Sequence, residues 1–257
     1  MGKPLKLLND HELLTAAFTA SKTNQHELAI KHFKEALRRD SGDPFACLEL
    51  AKCYYAIDHP AKAKKWLEKV HAMAQQDTEL LLPLAGAAQV IRNYPAAIQA
   101  MQQAAQLPRL REVALIRQSE LFELSNNLDE AEAALSRAGS GEEGSSQALR
   151  SIKAKLLRRR GKYQEARGQL ESLRADAKAA GNAGADFQAG LEYELAHVLD
   201  KLGEYELAHQ SLHTAKSHHL GTDAHYIAQR GRRGVMATLS GLCEGLTEET
   251  LQEWADQ

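Results

Sequence analysis

A ladder of alanines constrains this chain more than any other feature. Ala29, Ala63, Ala97 and Ala131 stand 34 residues apart, and Ala166 and Ala208 continue the series at intervals of 35 and 42. A large apolar residue follows each rung by four positions: Phe33, Leu67, Met101, Leu135, Leu170 and Leu212. A small or apolar residue follows by seven: Ala36, Val70, Ala104, Ala138, Leu173 and Ala215. Offsets of four and seven lie on one helical face. A fixed period of this length marks a repeat array, and 34 residues is the period of a helix–turn–helix unit.

Composition supports that reading. Aromatic residues make up only 5% of the 257 residues, while hydrophobic residues reach 44%. Such a chain packs helices through alanine and leucine. Helix formers dominate, so the expected class is all-α. In a repeat array each unit packs on its neighbours, so length does not translate into a domain count. A net charge of −2 gives no global reason to expect a nucleic acid or an anionic membrane. Cys47, Cys53 and Cys243 are an odd, scattered set, which argues against a disulfide framework and fits a reducing, cytoplasmic compartment. The first residues lack the apolar core of a signal peptide. Lys6 stands where N-myristoylation after Gly2 needs Ser or Thr. No apolar run is long enough to span a bilayer.

Read in order, the chain breaks into pairs of helices. Asn9 or Asp10 is positioned to cap the first, on which Leu13, Ala16, Ala17 and Ala20 share a face. The first pair ends at Asp40-Ser41-Gly42-Asp43-Pro44, a breaker cluster that also starts the next helix. Turns follow at Asp58-His59-Pro60, Asn93-Tyr94-Pro95 and Asn126-Asn127, then at Gly161-Lys162-Tyr163 and Gly203-Glu204-Tyr205. Repeats one to four are expected within 1–138. A Gly/Ser-rich joint occupies 139–146, repeats five and six occupy 147–220, and a helical cap occupies 221–257. The eight extra residues between Ala166 and Ala208 are placed as added helix, running through Ala179, plus the turn Gly181–Gly184.

The second unit carries Cys47, Leu50, Ala51 and Tyr54, then Ala63 and Leu67 before a helix break. That pattern resembles the tetratricopeptide repeat, with Cys47 in place of the usual tryptophan and Ala51 in place of the usual glycine. The resemblance spans about residues 9–218. It implies a right-handed α-solenoid of about six helix pairs with a concave groove lined by first helices. It also implies a non-catalytic scaffold that binds a protein or peptide there. Fold alone does not name the partner. The positions matching the Lys/Asn/Arg clamp of one family subset hold Leu14, Phe18, Phe45 and Glu49, so a clamp for peptide C-termini is not expected.

Mapped on that frame, the groove is expected to carry Phe18, Lys52, Tyr55, Gln89, Glu120, Lys155, Arg158, Tyr193 and His197. Leu14, Leu48, Leu82, Ile116 and Glu123 accompany them. Phe18 and Tyr55 are the expected anchors, because desolvated aromatics dominate binding. The alternative is that they pack between neighbouring repeats. A second resemblance, over Leu195–Tyr226, is to the repeat portion of bacterial proteins that join such units to a sulfotransferase domain. It implies the alternative of an accessory region whose catalytic part this chain lacks.

No phosphate-binding, dinucleotide, metalloprotease or nucleophile-elbow motif is present, so neither catalysis nor a cofactor is expected. Gly231-Arg232-Arg233-Gly234 imitates a nucleic-acid loop but lacks the strands that module needs. His209 and His213 share a helix face, yet two ligands without a third read as a solvated pair rather than a metal site. Residues 150–178 carry ten basic side chains against three acidic ones. That stretch is either a surface for an anionic partner or a solvated face. It has no interleaved aromatics for base stacking, which makes nucleic acid an unlikely partner.

Overall fold

The computed structural model describes residues 8–139, 146–181 and 183–220. Among the described residues there are twelve α-helices and no strand. They pair as α1 (Asp10–Lys22) with α2 (His26–Arg39), α3 (Pro44–Ala56) with α4 (Pro60–Ala74), α5 (Leu81–Val90) with α6 (Tyr94–Ala104), and α7 (Arg111–Leu124) with α8 (Leu128–Ala138). Then come α9 (Gln147–Arg159), α10 (Tyr163–Ala180), α11 (Ala185–Lys201) and α12 (Tyr205–His219). The chain divides into two compact units, one through Leu156 and one from Leu157. Most of the expected joint at 139–146 and all of the expected cap at 221–257 lie outside the described residues.

Local chemistry sets the helix starts. At α1 the Asn9 side chain accepts from the Glu12 amide (2.8 Å), and the Glu12 carboxylate accepts from the Asn9 amide (3.0 Å), a reciprocal capping box. At α3, Asp43 accepts from the Ala46 amide, and Pro44 takes the first helical position, where no amide is needed. Pro60 does the same for α4. A short 3-10 turn over Thr78–Leu80 leads into α5, which at ten residues is the shortest of the twelve α-helices.

The turns inside the pairs repeat as strictly as the alanines. Asn24, Asp58, Arg92, Asn126, Gly161 and Gly203 all adopt left-handed backbone, with φ between 57° and 78°. Each stands five residues before a ladder alanine. The amide after each one donates six-to-one back into the first helix: Gln25 to Ala20, His59 to Tyr54, Asn93 to Ala88, Asn127 to Phe122, Lys162 to Leu157 and Glu204 to Leu199, all at 2.8–2.9 Å. This is the Schellman ending, which satisfies carbonyls that a helix terminus would leave unpaired. Sequence signals this conformation at Gly161 and Gly203. At Arg92 it does not, because a long side chain ordinarily avoids left-handed backbone.

In the first unit the ladder closes each helix pair. Ala29, Ala63, Ala97 and Ala131 are fully buried, as are the small residues Ala17, Ala51 and Ser119 facing them on the first helices. Phe33, Leu67 and Met101 fill the next layer, joined by Leu50, Leu81 and Leu84 in one continuous core. Burying each such side chain stabilises by roughly 1.5–3 kcal/mol. A second cluster gathers Ile116, Leu135, Leu149, Ile152 and Leu156. Cys47 and Cys53 are both buried on α3 as free thiols.

In the second unit α10 packs on α11, and α11 on α12. The helix α10 runs for 18 residues and stops at Gly181, whose φ is +66°. The added length after Ala166 is therefore helix plus a glycine ending, as its sequence suggests. Leu212 differs from its five counterparts, being 46% exposed, because no described helix follows α12 to cover it.

Candidate functional site

The first helices of the first unit form two adjoining depressions. One, of about 390 Å³, is lined by Phe18 of α1, Phe45, Leu48, Glu49 and Lys52 of α3, and Pro83, Gly86 and Ala87 of α5. The other, of about 230 Å³, is lined by Leu82, Ala85, Gly86 and Gln89 of α5, Met101 of α6, and Val113, Arg117 and Leu121 of α7. Gly86 belongs to both. A methyl group built at Gly86 meets nothing within 4 Å, so Gly86 faces open space where the two depressions adjoin. The walls are apolar and the charges sit in pairs. Lys52 is paired with Glu49, and Arg117 with Glu120 at 2.9 Å.

Of the expected groove residues, Phe18, Lys52 and Gln89 line these depressions. Phe18 is half-buried, with its ring edge-on to Phe33 (centroids 5.2 Å apart, planes at 87°). It is thus both part of the packing and part of the wall. Tyr55, the other expected anchor, is half-buried against the core and lines neither depression. Ile116 and Glu123 are buried in the packing, so they do not present a groove surface. Leu48 is buried yet still forms part of the depression floor. Sequence reasoning passed over Phe45, Gly86, Val113 and Arg117. Phe45 is 54% exposed at the start of α3. Gly86 is visible in the sequence as a glycine inside a helical pattern, which by itself assigns it no role.

The second unit holds a separate depression of about 610 Å³ between α11 and α12. Tyr193, His197, Tyr205, His209 and Leu212 contribute to its walls. It brings together two expected site residues, Tyr193 and His197, and one member of the histidine pair. Among the described residues, no three of His, Cys, Asp and Glu converge as metal ligands would.

Residues 20–88 match the sequence profile of the tetratricopeptide repeat. The six identical turns and the buried alanine ladder carry the same helix-pair pattern beyond the matched segment. The fold is all-α and tetratricopeptide-repeat-like. Two solved structures agree in fold. One, described as a functional characterization of Pseudomonas aeruginosa pilF, has a TM-score of 0.52 at 16% identity and covers 86% of this chain and 97% of its own. The other, BtubC from P. vanneervenii, has a TM-score of 0.53 at 13% identity and covers 81% and 91%. At such identities the likeness is one of fold. No curated protein matches the chain.

Lys155 and Arg158, expected in the groove, are committed to partners. Lys155 pairs with the buried carboxylate of Glu123 at 3.0 Å, and Arg158 with Glu194 at 2.6 Å. Arg167 reaches both Glu171 and Glu204, and Arg174 lies 3.8 Å from Glu192. Four of the ten basic side chains in 150–178 are thus matched by carboxylates from outside the stretch, and Lys162 by Glu165 within it. Its sequence count of ten against three overstates the field it presents. These pairs join residues about one repeat apart, 32 between Glu123 and Lys155 and 36 between Arg158 and Glu194. Opposite charges separated by one repeat were the signal that could have revealed them.

Proposed function

We propose that this tetratricopeptide-repeat-like protein is a non-catalytic scaffold that binds a peptide segment of a protein partner in the groove of its first unit. The observation that carries the reading is the shared wall at Gly86. An aromatic-lined depression and an apolar one adjoin there, lined from α1, α3, α5 and α7. A peptide laid along first helices would place an apolar side chain among Phe18, Phe45 and Leu48 and continue past Gly86 toward Gln89. Side-chain anchors in an apolar groove supply such affinity, and paired charges at the rim supply register more than energy. The buried free thiols fit a reducing, cytoplasmic setting. No described helix is long and apolar enough to cross a membrane.

The test uses peptides selected from a random displayed library against the purified protein. Gly86→Leu fills the shared wall without a clash at its first carbon, so the fold should survive while peptide binding is lost. Phe45→Ala should weaken binding by about tenfold, the effect of losing one exposed aromatic anchor. Selected peptides that bind Gly86→Leu as well as wild type would place the site elsewhere.

A further inference from the structure

A second surface lies on α2 and α4, helices that contribute no residue to the groove. Lys34 of α2 and Lys62 of α4 point at one aromatic ring. Their Nζ atoms lie 5.7 Å and 5.5 Å from the centroid of the buried Tyr54. Lys69 lies 5.3 Å from the Trp66 ring and donates to the Ser41 carbonyl at 2.7 Å. Lys65, exposed, adjoins Trp66. Among the described residues Lys34, Lys62 and Lys65 make no ion pair, whereas nearby Lys64 has Glu68, and Arg38 and Arg39 have Glu35. Tyr54 thus gathers two ammonium groups, neither of which has a carboxylate partner among the described residues. Each is attracted by the ring, and neither is neutralised by a carboxylate. An anionic segment laid across the face supplies the missing counter-charges.

We propose that the α2–α4 face docks an acidic polypeptide segment, whose carboxylates pair with Lys34, Lys62 and Lys65. Charge complementarity selects the class, and three features favour carboxylates over phosphates. The arginines, whose planar forks match phosphate best, are already held by Glu35 and Asp10. No ring is free for a base to stack on, since Tyr54 is buried and Trp66 lies beneath Lys69. The patch is confined to two helices, because α6, the next second helix, carries no charged side chain at all.

The test is fluorescence anisotropy of a short labelled oligoglutamate peptide with the full chain. Wild type should bind, with affinity falling as salt rises. The double variant Lys34→Gln/Lys62→Gln should bind about tenfold more weakly, and Lys65→Gln, which lies outside the Tyr54 pair, about threefold. Helicity by circular dichroism checks that each variant is folded, and Lys65→Gln carries the test if the double variant is not. The charge-matched control Lys178→Gln/Lys216→Gln should bind as wild type does, and so should the groove variant Gly86→Leu. Absence of binding to wild type would overturn the proposal, as would equal loss in the control. Binding of a single-stranded oligonucleotide or phosphatidylserine vesicles through these lysines, without oligoglutamate, would also overturn it.

Discussion

The Ser119 hydroxyl donates to the Ala131 carbonyl at 2.8 Å, between two residues with no exposed surface. This bond joins the two small-residue ladders of the fourth helix pair. Ser119 stands where the preceding pairs have Ala17, Ala51 and Ala85, each 34 residues before the next. Ser119→Ala should therefore keep the packing and lose about 1 kcal/mol, one net buried hydrogen bond. Ser119→Leu should cost more, about 1–3 kcal/mol of overpacking, because the facing alanine leaves no room. Urea midpoints with unchanged slope measure both. Equal losses would mean the hydroxyl, not the size, holds the rung.

The turn residues predict a pair of opposite effects. Arg92 holds left-handed backbone at φ 57°, and Gly161 holds it at 76°. Arg92→Gly should raise stability by about 0.5–1 kcal/mol, since release of strain exceeds the added freedom of the unfolded chain. Gly161→Ala should lower it by about 1 kcal/mol. Parallel urea titrations check the signs, and a loss in Arg92→Gly would show that its side chain stabilises the turn.

Burial pushes the Cys47 and Cys53 thiols up, a tendency that Ser21 partly opposes at Cys53 by hydrogen bonding. A raised thiol pKa means less thiolate at any given pH, and alkylation needs the thiolate. In a Cys243→Ser background, iodoacetamide at neutral pH should modify the unfolded chain much faster than the folded one, as mass spectrometry would record. Similar rates in both states would show that α3 opens readily.

Glu35 gives the pH prediction. Its carboxylate is lowered from the ordinary 4.5 to about 2, first by the hydrogen bond from Arg38, then against some desolvation by that from Arg39. A folded value below the unfolded one contributes stability that is fully present above about 4.5. That contribution is lost as pH falls through about 2. Thermal midpoints of Glu35→Gln should therefore depend less on pH across that window than those of wild type. Parallel curves would show that the exposed pair contributes nothing to folding.

Much of the fold was legible because packing repeats. Ala29 through Ala208 carry the helix pairs, and Gly161 and Gly203 carry two of the turns. Arg92 was illegible as a turn, since its conformation is imposed by the helices on either side rather than by its own preference. The site was less legible for a different reason. Phe18 and Tyr55 look alike at helical spacing, and only packing separates the one that reaches the depression from the one that does not. Lys155 and Arg158 looked free because their partners, Glu123 and Glu194, are far away in sequence. Gly86 was visible but silent, because a groove is made by what surrounds an absence.

The left-handed turns also bear on how such a chain can be cut and rejoined. Asp58 and Arg92 hold the same conformation 34 residues apart, and His59 and Asn93 after them make the same bond back to the first helix. Excising residues 59–92 would join Asp58 directly to Asn93, seating Asn93 where His59 had been, with Ala97 falling five places after Asp58 in the stead of Ala63. The chain is thus punctuated like a text with evenly spaced line breaks, from which one whole line can be removed without garbling the next.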